Sequence, residues 1–312
     1  MGKFGIKSGG KSDGKSRGKS GSKSGGRFGG RSGSKSTGKS KGKSTGKSVG
    51  KFAGKSKMKF TQLDTKMRVY ETAHDYCVPP GIWMVARLDG RSFTRLTKDL
   101  MECERPFDLR FRDVMTETTK YLMSEVGFQM LYGYTESDEI SILISPTDQT
   151  FGRKLRKLNS ILAGEASAQF SRRIDHPAVF DCRVSCLPNR QLVVDYFRWR
   201  QADAERNSLN SWCYWKLRGQ DHSAQAATNR LSGMSVAEKN ELLHRRGINY
   251  NDLPCWQRRG CGVVWQPVIK KTINQHTKEE VHVVRRRLAV DSSLPRGDEY
   301  QQYLEKMLKA DE

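Results

Sequence analysis

No apolar run in the sequence approaches the roughly 18 residues needed to cross a membrane, so no membrane partner is expected. The seven cysteines, Cys77, Cys103, Cys182, Cys186, Cys213, Cys255 and Cys261, form no paired C-x-x-C set. An odd count without a secretory signal points to reduced thiols inside a cell. Cys182 and Cys186 lie four apart in an expected strand and share one face, which reads as core burial rather than zinc. The six histidines, His74, His176, His222, His244, His276 and His282, are scattered, and none is assigned to catalysis.

The first 57 residues are nearly free of acids and apolar residues. They carry 17 Lys and Arg against one acid, Asp13, which places +16 of the net +22 in the tail and leaves +6 for the rest. A Gly/Lys/Ser repeat of this kind buries too little surface to offset the entropy of ordering, so residues 1–57 are expected to be disordered. Gly9 to Ser16 and Gly33 to Ser40 match the phosphate-loop pattern G-x-x-x-x-G-K-S. That motif needs a buried strand before it and a helix after it, and the repeat supplies neither. The tail has neither the apolar core of a secretory signal nor the apolar face of a transit peptide. Its charge suits a polyanion, most simply nucleic acid.

Ordered pattern is expected from Met58. Ile82 to Leu88 reads as a buried strand ended by Asp89-Gly90, and Phe107 to Val126 as an amphipathic helix. Gln129 to Tyr134 and Glu139 to Ile144 read as a hairpin joined by Thr135-Glu136-Ser137-Asp138. Phe151 to Arg173 is a second helix and Val179 to Leu187 a further strand. The order strand, helix, strand, strand, helix, strand is the split β-α-β, ferredoxin-like order, which polymerase palms and nucleotide cyclases share. The fold class expected is α+β: a palm-like catalytic domain at 58–188, then a helical and antiparallel region at 189–312. In that region Gln191 to Leu217 reads as a helix. Ser235 to Arg246 reads as another, with a capping box to Glu238. Gly260 to Val268 and Val281 to Val290 read as an antiparallel pair, and Asp298 to Leu308 as a closing helix. The aromatics of Tyr196-Phe197-Arg198-Trp199 are at helical spacing and read as core before base stacking.

The chemistry concentrates at two turns. In the split β-α-β order the first and third strands are adjacent and central. Asp89 at the end of one can therefore face Asp138 beside the other. Two such carboxylates could hold two divalent cations, as phosphoryl transfer requires. Mg²⁺ keeps waters or takes substrate phosphates, so a few protein oxygens suffice. Gly90, lacking Cβ, is expected to let triphosphate and metal approach the backbone. The competing reading is two ordinary polar turns with solvated acids. Glu139 is adjacent, but alternation along a strand turns it to the other face.

Four blocks, Arg87-Leu88-Asp89-Gly90-Arg91-Ser92-Phe93, Tyr134 to Glu139, Arg200-Gln201-Ala202-Asp203, and Glu238-Lys239-Asn240-Glu241 through Gly247 to Asn251, resemble in order and spacing the tRNA-His guanylyltransferase family. These are 3′-to-5′ polymerases, which add nucleotides to RNA 5′ ends. The resemblance covers the chain from about Met58 to the final helix. It implies that Asp89, Asp138 and the Gly90 carbonyl hold two Mg²⁺. It also implies that Arg91, Ser92, Phe93, Thr94 and Ser137 hold the nucleoside triphosphate, and that Arg105, Arg153, Lys154, Lys157 and Arg183 surround phosphates. Lys239 and Asn249 are implied near the tRNA. ATP would activate a 5′-monophosphate with loss of pyrophosphate. The 3′-hydroxyl of GTP or another triphosphate would then attack, releasing AMP. A homo-oligomer, usually a tetramer, in cytoplasm or mitochondrion is implied as well.

One stretch departs from that pattern. The histidine-tRNA enzymes carry a His- and Asn-rich sequence after R-Q-A-D, and here Ala204 to Asn210 reads Ala-Glu-Arg-Asn-Ser-Leu-Asn. That resembles the guanylyltransferase-like branch, so templated repair or editing of tRNA 5′ ends is the expectation. Addition of a single guanylate to tRNA-His is the alternative. A nucleotide cyclase would leave the basic C-terminal half unused, and an inactive RNA-binding protein would have no need of both carboxylates.

Overall fold

Alternation in the central strands gives the protein a core on each face of one sheet. The computed structural model describes residues 59–220, 222–273, 276 and 279–309. The expected disordered tail, 1–57, lies outside them. The elements begin with α1 (Phe60–Glu71), β1 (Trp83–Gly90), the short α2 (Phe93–Arg95) and α3 (Leu109–Glu125). There follow β2 (Met130–Glu136), β3 (Glu139–Ile144), α4 (Leu155–Ile174) and β4 (Phe180–Leu187). The remainder is α5 (Arg190–Arg218), α6 (Ala224–Leu231), α7 (Val236–His244), α8 (Cys255–Arg259), β5 (Cys261–Ile273), β6 (Glu280–Asp291) and α9 (Gly297–Lys309).

Among the described residues the strands form one sheet in the order β4-β1-β3-β2-β5-β6, antiparallel throughout. In β1, Met84, Ala86 and Leu88 face a core with Leu122 of α3 and Leu162, Ala166 and Phe170 of α4. Trp83 and Val85 face the other way, onto Val193, Val194 and Phe197 of α5 and Tyr300 and Leu304 of α9. Period-2 side chains on a central strand buried on both faces explain why β1 opens on an unbroken apolar run, Trp83 to Ala86. The second half of α5 leaves the sheet. There Leu209, Cys213 and Leu217 join Leu231 and Leu243 of α6 and α7 in a separate cluster.

Local chemistry sets the boundaries. Asp108 caps α3, its carboxylate accepting from the N–H groups of Arg110 (2.7 Å) and Phe111 (3.3 Å). The capping box at Ser235 and Glu238 is formed. The expected helix at Phe151 starts late, because Phe151, Gly152 and Arg153 have φ of 52°, 60° and 57°, incompatible with a right-handed helix. The expected four-residue hairpin turn is two residues, Ser137-Asp138, since Thr135 and Glu136 pair with Ile140 and Glu139.

Other expectations need correction. Cys182 is half-buried but Cys186 is exposed, so the pair is not a core pair. Tyr196 and Phe197 are core, whereas Trp199 is 55% exposed beneath the Arg200 guanidinium. The expected C-terminal antiparallel pair is formed by β5 and β6, and β5 also continues the sheet beside β2 over Cys261–Val264. Beyond Val264 the β5–β6 pair runs on as a two-stranded arm with Val268, Ile269, Ile273 and Val284 exposed. No helix among the described residues is long and apolar enough to cross a membrane.

Candidate active site

The antiparallel register of β1 and β3 sets Asp89 directly opposite Glu139, so both carboxylates stand on the α5 face at one end of the sheet. β4 flanks the other side, with Asp181 opposite Asp89. The tight turn between β2 and β3 brings Asp138 to the same end, where its carbonyl accepts a hydrogen bond from the Gly90 N–H at 3.0 Å. Asp89 and Asp138 are thus brought together by backbone pairing. Ser92 and Ser137, on either side of this end, have left-handed backbones with φ of 62° and 49°. Such conformations in non-glycine residues cost roughly 1–3 kcal/mol each and concentrate where function needs them.

Charge around the two aspartates is uneven. Arg183 of β4 approaches Asp89 at 2.9 Å and Arg87 at 3.3 Å. The Asp89 Oδ2 atom is nevertheless buried without a hydrogen bond of acceptable geometry. Asp138 has no ion-pair partner among the described residues, only the Ser137 hydroxyl donating at 3.2 Å. Burial pushes the Asp138 carboxyl up, and the negative charge of Asp89 adds to that push against the hydrogen bonds from Ser137 and its own backbone. Glu136, at the end of β2, is pushed up to about 8 by burial, with Glu139 adding. A carboxylate held by two arginines beside a second, electrostatically crowded carboxylate is a donor set that a hard cation could share. No cluster of three or more His, Cys, Asp or Glu among the described residues is placed to hold a metal by itself. A cation here would need backbone, water or substrate oxygens to complete its shell.

Glu139 belongs to the scaffold beneath the site. Arg200 of α5 grips it with two bonds, Nε to Oε1 at 2.7 Å and Nη2 to Oε2 at 2.6 Å, and also reaches Asp203 at 3.2 Å. Arg200 is buried, and the Ser141 hydroxyl donates to Glu139 as well. A desolvated bidentate pair of this kind fixes β3 to α5 directly below Asp89. Arg87, Asp181 and Arg200 were not among the expected site residues. The R-Q-A-D block signalled Arg200, and the two-residue spacing to Asp89 signalled Arg87.

The remaining expected residues divide. Arg91, Ser92 and Thr94 are exposed on the segment leaving β1, and Ser137 is exposed on the turn. Phe93 is buried, its ring 4.9 Å from that of Phe180 and 5.1 Å from that of Phe170, so its side chain is core and not a nucleotide contact. The Phe93 ring also bears on Gly90. A Cβ there would lie 2.5 Å from the Phe93 ring, so the missing side chain makes room for phenylalanine.

Arg153, Lys154 and Lys157 lie at the far end of the sheet. Arg153 donates to the carbonyl of Ile82, which precedes β1, and six residues separate the start of β1 from Asp89, about 20 Å of strand. Arg153 is 2% exposed and spends its guanidinium on the carbonyls of Val78, Ile82, Pro146 and Asp148. The expectation of a phosphate contact at Arg153 is therefore corrected: its donors are used. Lys154 pairs with Asp75 at 2.9 Å, and Lys157 lies 6.0 Å from the Phe151 ring. Within one chain neither is brought to the carboxylates. Arg105 stacks over Trp215 at 5.2 Å. Lys239 is half-buried on α7, and Asn249 is exposed, its side chain accepting from the Asn251 N–H.

Residues 64–188 match the family model of tRNAHis guanylyltransferase, and residues 191–296 match the Thg1 C terminal domain. The chain is 33% identical over 205 residues to a probable tRNA(His) guanylyltransferase of Mus musculus, covering 62% of this chain and 68% of that one. It is 32% identical over 218 residues to a tRNA(His) guanylyltransferase of Neurospora crassa, covering 64% and 74%. Among solved structures it resembles a bacterial tRNA(His) guanylyltransferase (Thg1)-like protein in complex with ATP. The TM-score is 0.63 at 30% identity, over 78% of this chain and 98% of that one. The GTP complex of such a protein gives 0.59 at 28% identity, over 79% and 98%. The antiparallel sheet with helices on both faces, the paired aspartates at its end and these likenesses agree: the chain belongs to the tRNA-His guanylyltransferase family of nucleotidyltransferases.

Proposed function

We propose that this enzyme adds guanylate to the 5′ end of tRNA-His at the end of the sheet marked by Asp89 and Asp138. The observation that carries the proposal is two acids, Asp89 and Asp138, brought to one end of the sheet, the first ion-paired to Arg183 and Arg87 and the second without a basic partner among the described residues. Asp89, the Gly90 carbonyl and Asp138 would hold Mg²⁺, two ions by family resemblance. Bound there, Mg²⁺ supplies positive charge to the phosphates and acidifies the attacking hydroxyl. Arg183, 56% exposed at the side chain, would hold a phosphate once Asp89 turns to the cation. Arg91, Ser92 and Thr94 present exposed donors beside it, and the left-handed Ser137 sets the angle of Asp138. ATP and GTP are the nucleotides of the solved relatives, which supports their use here.

The strand order β4-β1-β3-β2, with α3 and α4 on one face, supports a palm-like, ferredoxin-like catalytic part at 58–188. Residues 189–312 then complete the fold and meet the tRNA, with Lys239 and Asn249 near it. Self-association, implied by the family, is supported by α1, which buries no residue and exposes Phe60, Leu63, Met67 and Tyr70.

The relatives' names favour guanylate addition over the templated repair expected from Ala204 to Asn210. One observation keeps templated repair as a second reading. Glu205, in the stretch that lacks the His, accepts Arg259 at 3.1 Å while its carbonyl accepts the Tyr250 hydroxyl at 3.1 Å, so this segment of α5 is engaged within the fold. The two readings separate with purified protein, ATP, Mg²⁺ and labelled nucleotides on tRNAs whose base opposite the added position takes all four identities. Guanylate opposite every base supports the first reading, and a nucleotide that follows the opposing base supports the second. No addition to any tRNA overturns both.

A further inference from the structure

Away from the two aspartates, the C-terminal ends of α5 and α7 and the segment around Arg105 enclose a cleft of about 680 Å³. Arg105, Lys216, Arg218, Arg245 and Arg246 line it, and no described lining residue is acidic. Among the described residues, Arg245 alone of these has a carboxylate, Glu241 at 2.7 Å. Arg246 is half-buried and held by neutral acceptors, the Leu242 carbonyl at 2.9 Å and the Gln220 side chain at 3.1 Å. Arg218 donates to the carbonyl of His222 at 3.2 Å. The guanidinium groups are thus oriented without being neutralised, the condition under which arginine retains attraction for an anion.

The walls also carry π surface. Trp212 and Trp215 are half-buried in the lining, and Arg105 lies over the Trp215 ring. Arginine and aromatic faces together accept any base by stacking. Arg105 connects this cleft to the active site, because its guanidinium reaches Thr97, on the turn that follows Ser92, Phe93 and Thr94. A strand of RNA brings spaced single charges and bases, which match spread arginines and indoles.

We propose that this cleft seats a nucleotide step of the RNA substrate, its phosphates on Arg218 and Arg246 and a base against Trp212 or Trp215. The proposal rests on the reading of the protein as an enzyme acting on tRNA. It is tested on the full chain with a 5′-monophosphorylated tRNA transcript, by filter retention across a salt series. The variant Arg218→Glu/Arg246→Glu should bind at least tenfold more weakly, and its slope of log affinity against log salt should fall by about 1.5 for two lost phosphate contacts. Affinity for free ATP and GTP should hold. In Trp215→Phe, the quenching of tryptophan fluorescence by tRNA should diminish.

Unchanged tRNA affinity and salt slope in the double variant, with the wild type adding nucleotides normally, overturns the cleft and leaves the proposed function standing. Loss of ATP or GTP affinity in place of tRNA affinity makes it a nucleotide pocket and overturns the proposal. A wild type that neither binds nor extends tRNA overturns both. Should the double variant fail to fold, Arg246→Gln, which keeps a donor for Gln220, and the Trp215→Phe quench decide the matter: tRNA affinity and quenching both as in wild type overturn the cleft, and a loss in both supports it.

Discussion

The two ends of the sheet handle buried charge in opposite ways. At the end where β1 begins, Arg153 is sealed in and its guanidinium meets carbonyls from Val78, Ile82, Pro146 and Asp148. At the end where β1 stops, Asp89 is met only by the ion pairs of Arg183 and Arg87, its Oδ2 accepting no well-aligned hydrogen bond, and Asp138 has no cation beside it among the described residues. A satisfied polar network rigidifies; an unsatisfied one costs free energy and is kept where a ligand completes it. The contrast separates architecture from chemistry without reference to residue type, since charged groups occupy both ends.

The largest expected effect is at the unsatisfied end. Asp89→Ala and Asp138→Ala should each lower nucleotide addition about a thousandfold or more, as loss of charge stabilisation in phosphoryl transfer does, while thermal unfolding stays near wild type. Near-normal turnover at saturating Mg²⁺ in either variant would remove the metal assignment and with it the contrast.

Next in size is the layer beneath. Arg200→Ala strands the buried Glu139 carboxylate and should cost about 3–5 kcal/mol in denaturant unfolding. Glu139→Gln with Arg200→Met should recover much of that, because a buried pair replaced as a unit loses less than a pair broken. If the single and double variants unfold alike, the pair is not the tie between β3 and α5.

Arg153→Ala sharpens the other end. It should cost about 3 kcal/mol, for carbonyls left without donors, while the folded fraction adds nucleotides at the wild-type rate. A selective loss of activity with unchanged stability would return Arg153 to the phosphate site.

The smallest effect is a control in which a charged group is satisfied yet titratable. Arg110 first, then the backbone N–H groups of Glu104, Phe111 and Arg110, hold the Asp108 carboxyl well below the usual carboxylate range. A depressed folded pKa contributes stability above the unfolded value of about 3.9, and that contribution fades as pH falls through the folded value. Asp108→Ala should therefore cost about 1 kcal/mol at neutral pH, with the gap to wild type narrowing in acid below about pH 4. A gap that widens in acid would contradict the pairing.

Much of this was legible in the residues. Asp89-Gly90 after an apolar run marks the end of β1, and the alternation on either side of Ser137-Asp138 marks a hairpin, so the pairing of Asp89 with Asp138 follows from order alone. What stayed hidden depends on contacts between distant segments. Arg153 reads as a surface cation until left-handed backbone at Phe151, Gly152 and Arg153 turns it under the sheet. Phe93 sits in a block that reads as nucleotide-binding, yet its ring completes a cluster with Phe111, Phe170 and Phe180. That β5 joins β2 could not be read locally, because strand pairing across more than a hundred residues leaves no periodic trace. Helix α1 buries nothing, so no core pattern announced it.

The arm formed by β5 and β6 ends the sheet, with β6 as its open edge among the described residues. An exposed strand edge flanked by Val268, Ile269 and Val284 is a template on which another chain could add. Lys270, Arg285 and Arg287 stand along the same arm, where Lys271 pairs with Glu280 at 2.9 Å. Their like charges guard that edge at a range set by the surrounding salt, about 8 Å at physiological ionic strength and 3 Å at 1 M. The strength of that guard belongs partly to the solvent: concentrated salt, by shortening the reach of those charges, should make the edge less self-avoiding.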